Sequence, residues 1–439
     1  MQRILIVGGG AGGLELATRL GNTLGKQKLA HITLLDQNRV HVWKPLLHEV
    51  VAGSFDTGME SLSYRAHSAD NHYDFRLGRL ASIDQDRQKV VLEPQFDHHG
   101  KQILESRQIS YDYLVIAVGS QCNDFGISGV KEHCFRLDSA PEAEDLHLTF
   151  LNRFLQFSEA QAGQLGSSNQ PVHIAIVGGG ATGVELAAEL YNAVDRFEQV
   201  GIRKIHHQSL RVTLVEATDR ILPVLPAEIA LKAQKTLFKQ GVDVLTNVQV
   251  KAIEENCLVT QQAEGEQRIN ADILVWAAGV KAPEFLNKLG LPTNRINQLV
   301  CQQSLLVQGC SNIFALGDCA SIMGANERPV PATAQAASQQ AKLCGDNLIA
   351  CIDENRRALK PFVYHDHGTL VSLSRFQTLG NLLDDLFHKN WFIEGKIAHW
   401  AYISLYRQHQ HALHGGFKTL IMMLASSIQK RIKPKLKLY

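Results

Sequence analysis

The chain reads RILIVGGGAGG from Arg3 to Gly13 and HIAIVGGGATG from His173 to Gly183. In each copy an apolar run ends in G-x-G-x-x-G, made by Gly8, Gly10 and Gly13 in the first and by Gly178, Gly180 and Gly183 in the second. Helix-forming runs follow directly, LELA from Leu14 and VELAAEL from Val184. A strand, a glycine turn and a helix N-terminus make a pyrophosphate cradle, because glycines let backbone N–H groups approach the anion and the helix end carries positive potential. One such match is weak. Two predict a pair of dinucleotides held face to face, the usual arrangement of a flavin and a nicotinamide, and hence hydride transfer.

Acidic residues extend both copies. The strand ITLLD from Ile32 ends in Asp36, about 20 residues past Gly13, where a carboxylate binds a ribose 2′-hydroxyl. The strand RVTLVE from Arg211 ends in Glu216 after a longer interval, so a longer helix or an insertion is expected around 197–209. An acid at that place disfavours the 2′-phosphate of NADP and favours NAD(H).

Composition is that of a globular protein long enough for two or three domains: 439 residues, 45% hydrophobic and 20% charged. The formal net charge of +1 hides an asymmetry, since no acidic residue follows Glu394 whereas Lys396, Arg407, Lys418, Lys430, Arg431, Lys433, Lys435 and Lys437 do. With the first strand beginning at Arg3, no signal peptide is expected, and no apolar run reaches the roughly 18 residues of a membrane span. The 8 cysteines include no C-x-x-C, so they read as buried thiols, without the paired thiols of a dithiol relay or the clustered thiolates of an iron–sulfur site. Electrons are then expected to leave a flavin directly to a bound acceptor.

A second repeat organises the chain. ISYDYLVIAVGS (Ile109 to Ser120) and INADILVWAAGV (Ile269 to Val280) each read as a buried strand ending near a glycine, Gly119 or Gly279. SNIFALGDCA from Ser311 reads as a short strand with Gly317 and Asp318 at its C-terminal end, where open α/β sheets bind ligands. This order predicts an α/β protein of two Rossmann-like dinucleotide-binding domains, the second inserted in the first, plus a C-terminal membrane-associating region. The expected boundaries are 1–125 with 285–360, 126–284 and 361–439.

Finer marks are VWKPLLHEV from Val42, VWAAGVKAP from Val275, AQAASQ from Ala334, DHGTLVSL from Asp366 and YISLYR from Tyr402. With the fingerprints, they make the chain similar over nearly its whole length to the type II NADH:quinone oxidoreductases of bacteria, membrane-associated flavoproteins with two dinucleotide-binding domains. The resemblance implies FAD in the first site (Gly8, Gly10, Gly13, Asp36, Lys44, Gly119, Asp318, Ala334), NADH in the second (Gly178, Gly180, Gly183, Glu216, Gly279) and a quinone as acceptor. It places Gln335 and Gln339 at the quinone, and the Lys44–Pro45 loop near the isoalloxazine ring.

The residues themselves agree with this assignment. Pro331 suits the first turn of a helix through PATAQAASQQAK, whose positive end would favour reduced flavin, and Gln335 and Gln339 share one face. Glu185 sits in the first turn of the second dinucleotide helix, where a carboxylate is electrostatically comfortable, as Glu15 is in the first repeat. The resemblance adds a second role for Glu185, beside the flavin and nicotinamide, in steering the nicotinamide and helping protons reach the quinone. No metal site is expected, because His365, Asp366 and His367 read as a turn or interface, and His206 and His207 as exposed.

From Phe417 the apolar residues Leu420, Ile421, Leu424, Ile428 and Ile432 keep helical spacing, and Pro434 and the lysines end the helix. Trp391, Trp400, Tyr402 and Tyr406 are candidate interfacial aromatics. Such a helix lies on an anionic phospholipid surface, which predicts a peripheral enzyme on the cytoplasmic face of the bacterial inner membrane, with no proton pumping. The tail is also compatible with a homodimer, and no nucleic-acid partner is expected. Two alternatives remain: a sulfide:quinone reductase-like flavoprotein, which would need redox cysteines, and a nucleotide-bound redox-sensing protein.

Overall fold

Each fingerprint closes the central strand of a five-stranded parallel sheet. The structure, a computed structural model, describes residues 1–439 except 98, 162–169, 200–204, 264, 325–327, 354–357, 375–376, 385–388, 395 and 433–439. In the first sheet the order is Ile313–Ala315, Tyr113–Ile116, Gln2–Val7, Ala30–Asp36 and Asp74–Leu77, with Val7 between Ile116 and Leu35. In the second it is Phe135–Arg136, Ile273–Trp276, Val172–Val177, Leu210–Val215 and Val242–Leu245, with Val177 between Trp276 and Val215. Ile4, Leu5 and Ile6 and their counterparts Ile174, Ala175 and Ile176 are buried, as strands covered on both faces must be. All strands of the second sheet fall between Tyr113–Ile116 and Ile313–Ala315 of the first, so the second dinucleotide fold is an insertion in the first.

Helix α1 (Ala11–Leu20) follows the first fingerprint and helix α2 (Ala181–Gln199) the second. The greater length of α2 accounts for part of the longer interval to Glu216; residues 200–204 of that stretch lie outside those described. His206 and His207 are exposed, the latter stacked on Tyr191.

The paired repeat departs from the expected single strand. Arg107–Ser110 belongs to an antiparallel three-stranded sheet, and only Tyr113–Ile116 joins the parallel one; Gly265–Asn270 and Ile273–Trp276 divide in the same way. An aspartate sets each division. Asp112 accepts the backbone N–H of Arg3 at 2.6 Å and Asp272 that of His173 at 2.8 Å, so each ties the start of its parallel strand to the fingerprint strand.

Helix α3 (Ala334–Ile352) begins three residues after Pro331, because Thr333 caps it and accepts the N–H of Ala336. It lies tightly on α1, where a Cβ added at Gly12 would come 3.0 Å from the Ala337 carbonyl oxygen. The C-terminal region holds an unforeseen antiparallel sheet of Thr369–Ser374, Gln377–Asp384 and Lys389–Glu394, followed by helix α4 (Lys396–Ile432). The sheet leans on the second half, with Val371, Leu373 and Leu379 joining a core that also takes Trp43, Leu46 and Leu47 and, just after them, Val50 and Val51. Helix α4 leans on the first, whose core takes Leu413.

The helix is interrupted at Gly415, whose φ of 73° and ψ of 172° are not helical. Beyond that point Phe417, Leu420, Ile421, Leu424 and Ile428 are exposed, Phe417 by 77%. Among the described residues no helix is long and apolar enough to cross a membrane. Lys433, Pro434, Lys435 and Lys437, and the side chains of Trp391, Trp400, Tyr402, Lys430 and Arg431, lie outside the described set. Tyr406 turns inward instead, its ring 6.1 Å from Trp43, so it does not join an interfacial belt.

Candidate active site

The two cradles are built alike. A Cβ on Gly13 would fall 1.9 Å from the Gly8 carbonyl oxygen and one on Gly183 2.0 Å from that of Gly178, so only glycine lets each helix approach its strand. A Cβ on Gly10 or Gly180 would meet nothing within 4 Å, so the backbone at the start of α1 and α2 faces open space that suits a pyrophosphate.

The acids at the strand ends brace these loops. Asp36 accepts the N–H of Gly9 at 2.6 Å and of Asn38 at 2.7 Å, with burial holding its carboxyl above the usual range. Glu216 accepts the N–H of Gly179 at 2.7 Å and both the N–H and hydroxyl of Thr218, at 2.8 and 2.9 Å. A carboxylate has about four acceptor positions, so both remain able to take a ribose hydroxyl. The residues present therefore fit two dinucleotides.

Between the cradles the remaining candidates partly converge. Lys44 donates to the Ser120 carbonyl at 2.7 Å and lies 3.7 Å from Asp138, while the Ser120 hydroxyl donates to Asp318 at 2.7 Å. Gly317 at the same turn gives its N–H to the buried amide of Gln340 on α3, at 2.6 Å. Ala334 starts that helix, half-buried against the core of the second half. Gly119 has φ +71° and open space around it, whereas the place of a Cβ on Gly279 is taken by the Phe125 ring, 2.4 Å away. Ser120, Asp138 and Gln340 were missed by sequence reasoning. Gln340 is the unflagged neighbour in SQQ, and nothing but three-dimensional proximity marks Asp138.

Gln335 and Gln339 lie on one face of α3, and both amides grip the segment that follows Tyr364. Gln335 donates to the Asp366 carboxylate and the Gly368 carbonyl at 3.3 and 3.2 Å and accepts from the N–H of His367 at 3.3 Å. Gln339 exchanges two bonds with the peptide of His365, at 2.7 and 3.0 Å. The residues 365–368 thus form an interface with α3.

Glu185 is buried, 7% exposed, and accepts the N–H of Ser372 from the C-terminal sheet at 3.0 Å. His48 stands 3.6 Å from its other oxygen, and burial pushes that imidazole down to about 4, so it faces Glu185 as a neutral ring. Glu15, its counterpart, meets His409 of α4 at 2.6 Å and Ser338 of α3 at 2.6 Å.

Fold and cradles together define an FAD-dependent oxidoreductase with a nicotinamide site. Residues 2–341 match the family described as pyridine nucleotide-disulphide oxidoreductase. The chain is 45% identical to the type II NADH:quinone oxidoreductase of Haemophilus influenzae over 100% of both chains, and 29% identical to that of Staphylococcus aureus over 86% of this chain and 89% of the relative. The solved structure of Plasmodium falciparum NDH2 in complex with NADH shares the fold, with a TM-score of 0.84 at 19% identity, covering 100% of this chain and 99% of that one. This chain belongs to the pyridine nucleotide-disulphide oxidoreductases and, within them, to the type II NADH:quinone oxidoreductase family.

Proposed function

We propose that the chain is a respiratory enzyme that oxidises NADH and passes both electrons, by way of FAD, to a membrane quinone without pumping protons. The observation that carries this reading is two intact dinucleotide cradles in a chain without a thiol relay. All 8 cysteines are free, and burial pushes Cys122, Cys134 and Cys319 up to about 12, far from the thiolate that disulfide exchange requires. FAD, once bound, supplies a ring that accepts a hydride and gives up two electrons.

The chain's residues do the rest. Gly10 and the N-terminus of α1 hold one pyrophosphate, and Gly180 and α2 the other. Asp36 and Glu216 take the riboses, and the charge of Glu216 opposes a 2′-phosphate. Lys44, Ser120 and Asp318 form the rigid floor of the flavin ring site, and Glu185 adds a buried carboxylate beside it. Gln335 and Gln339, with the 365–368 segment they hold, line the acceptor side. Residues 1–125 with 285–360 form the FAD domain, 126–284 the NADH domain and 361–439 the attachment region. The exposed apolar face from Phe417 to Ile428 rests on anionic phospholipid at the cytoplasmic face of the inner membrane.

Stopped-flow absorbance tests the reading. The protein should be yellow, bleach faster with NADH than with NADPH, and regain colour with a soluble quinone. Replacing Glu216 by Arg should narrow the cofactor preference by roughly tenfold, the loss of about one hydrogen bond to a charged group. Equal kcat/KM for NADH and NADPH, or reduced flavin that quinone leaves bleached, would overturn it.

A further inference from the structure

The Gly9 carbonyl, inside the first fingerprint, takes hydrogen bonds from two buried side chains, the Tyr64 hydroxyl at 2.7 Å and His41 Nδ1 at 2.9 Å. A carbonyl oxygen only accepts, so His41 carries its proton on Nδ1. Burial pushes that ring down to about 3, which keeps it neutral and leaves its Nε2 an acceptor. The group 3.1 Å away, His409 Nε2, must then be the donor. His409 Nδ1 lies 2.6 Å from one oxygen of Glu15, and the other oxygen accepts from the Ser338 hydroxyl at 2.6 Å.

Following the protons along this chain leaves one on the Glu15–His409 contact. It is either an imidazolium beside a carboxylate or a neutral imidazole beside a carboxylic acid, and the two forms differ only in which atom holds the proton. The side chains are 9% and 2% exposed, and Trp43 covers the His409 ring with 4.2 Å between centroids.

Resting on the reading above, the reaction is NADH + H⁺ + quinone → NAD⁺ + quinol, which takes one proton beyond the hydride. We propose that Glu15 and His409 store that proton and release it toward the acceptor through Ser338, whose hydroxyl donates to Glu15 from α3, the helix that also carries Gln335 and Gln339. As the quinone oxygen gains the proton the pair loses it, and water restores it. A cleft of about 440 Å³ brings water to within about one helical turn of the pair: it is lined by Thr18 and Leu413, which follow Glu15 and His409 on their helices, and by Asn22, His67, His411 and His414.

Several titratable groups face the pair, His411 at the exposed side of the cleft among them. His41 is held low, and burial likewise lowers His67, to about 4, and His414. Tyr64 and Tyr406 are pushed up, the latter to about 12. Asp70 and Lys418 pair across the cleft mouth, Arg19 pairs with Asp346 between α1 and α3, and Arg407 binds Gln410.

Glu15→Gln keeps a group of the same shape but cannot ionise. In flavin-loaded enzyme it should leave NADH bleaching within about twofold, and it should slow re-oxidation by quinone at least about tenfold while flattening its pH profile. His409→Gln should do the same. Nitrogen-15 NMR of the histidine-labelled holoenzyme provides a readout independent of turnover: one ring should show a shared or second proton near neutral pH, and that signature should vanish in Glu15→Gln. If wild-type enzyme is re-oxidised by quinone and Glu15→Gln matches it in rate and pH profile, the proton store falls and the NADH:quinone reading stands. If the wild type is not re-oxidised by quinone, both fall. Should either variant fail to keep FAD, the wild-type spectrum decides, and nothing but ordinary neutral tautomers there would overturn the proposal.

Discussion

Glu15 and Glu185 occupy the same place in two copies of one motif, two residues past the last glycine, yet the C-terminal region meets them differently. Glu15 takes its bonds from side chains, Ser338 and His409, the second of them a titratable ring. Glu185 takes one from a backbone N–H, that of Ser372, which does not titrate, and stands beside a histidine that burial keeps neutral. A repeated carboxylate thus meets a titratable ring in one half and a backbone amide beside a neutral ring in the other. The attachment follows the same division, with helix α4 set on the first half and the antiparallel sheet on the second.

The largest effect should come from breaking the halves one at a time. A methyl group added at Gly13 or Gly183 lands about equally close to a carbonyl, 1.9 or 2.0 Å away, so both variants suffer the same local overpacking. Such a cost is typically about 1–3 kcal/mol, or roughly ten- to a hundredfold in affinity. The consequences should differ. Gly13→Ala should purify pale, with flavin lost on dialysis, whereas Gly183→Ala should stay yellow but need far more NADH to bleach. Flavin content by absorbance and an NADH titration check this, and a colourless Gly183→Ala protein would reverse the assignment of the two cradles.

The parts of this design legible in sequence were those written in local pattern. Gly10, Gly13, Asp36 and Glu216 could be read because the cradle needs a fixed residue type at each fixed step along one strand, turn and helix. The same logic exposed the insertion, since strands with repeated surroundings must pair with their own fingerprint. His41 and His409 were not legible, because their contact joins residues from opposite ends of the chain and neither position repeats. The C-terminal sheet was hidden for a related reason: TLVSL and NWFIE read as strands only once they pair with Gln377–Asp384, and pairing is non-local. Gln335 and Gln339 were legible as a shared helix face, while their grip on residues 365–368 was not.

A second prediction uses the break at Gly415 to separate bracing from attachment. His409 and Leu413 precede the break, and the exposed residues Phe417 to Ile428 follow it. Deleting 417–439 should therefore leave both halves braced: flavin content and NADH oxidation with a soluble acceptor should stay within about twofold, while co-sedimentation with anionic vesicles should fall at least about tenfold. That expectation follows from the apolar area lost, at roughly 25 cal/mol per Å². Truncated protein that still sediments with vesicles would move the attachment to another surface.

The smallest effect concerns the charge on the second half. His48 is 3.6 Å from Glu185, close enough to pass for an ion pair, but burial holds it down to about 4 against an ordinary value of 6.5. Above 6.5 the ring is neutral whether the protein is folded or unfolded, and it contributes no pH dependence. Between 6.5 and about 4 the unfolded chain binds a proton that the folded one refuses, so stability falls with pH by up to about 1.4 kcal/mol per unit. His41 in the first half adds the same slope and carries it down to about 3. His48→Gln should therefore flatten the acid limb of the Tm-against-pH curve by one proton's worth without changing Tm's plateau above 6.5 by more than about 2–4 °C. If His48 were instead a protonated partner of Glu185, the variant would lose stability most at low pH and steepen the limb, and scanning calorimetry at several pH values tells the two apart.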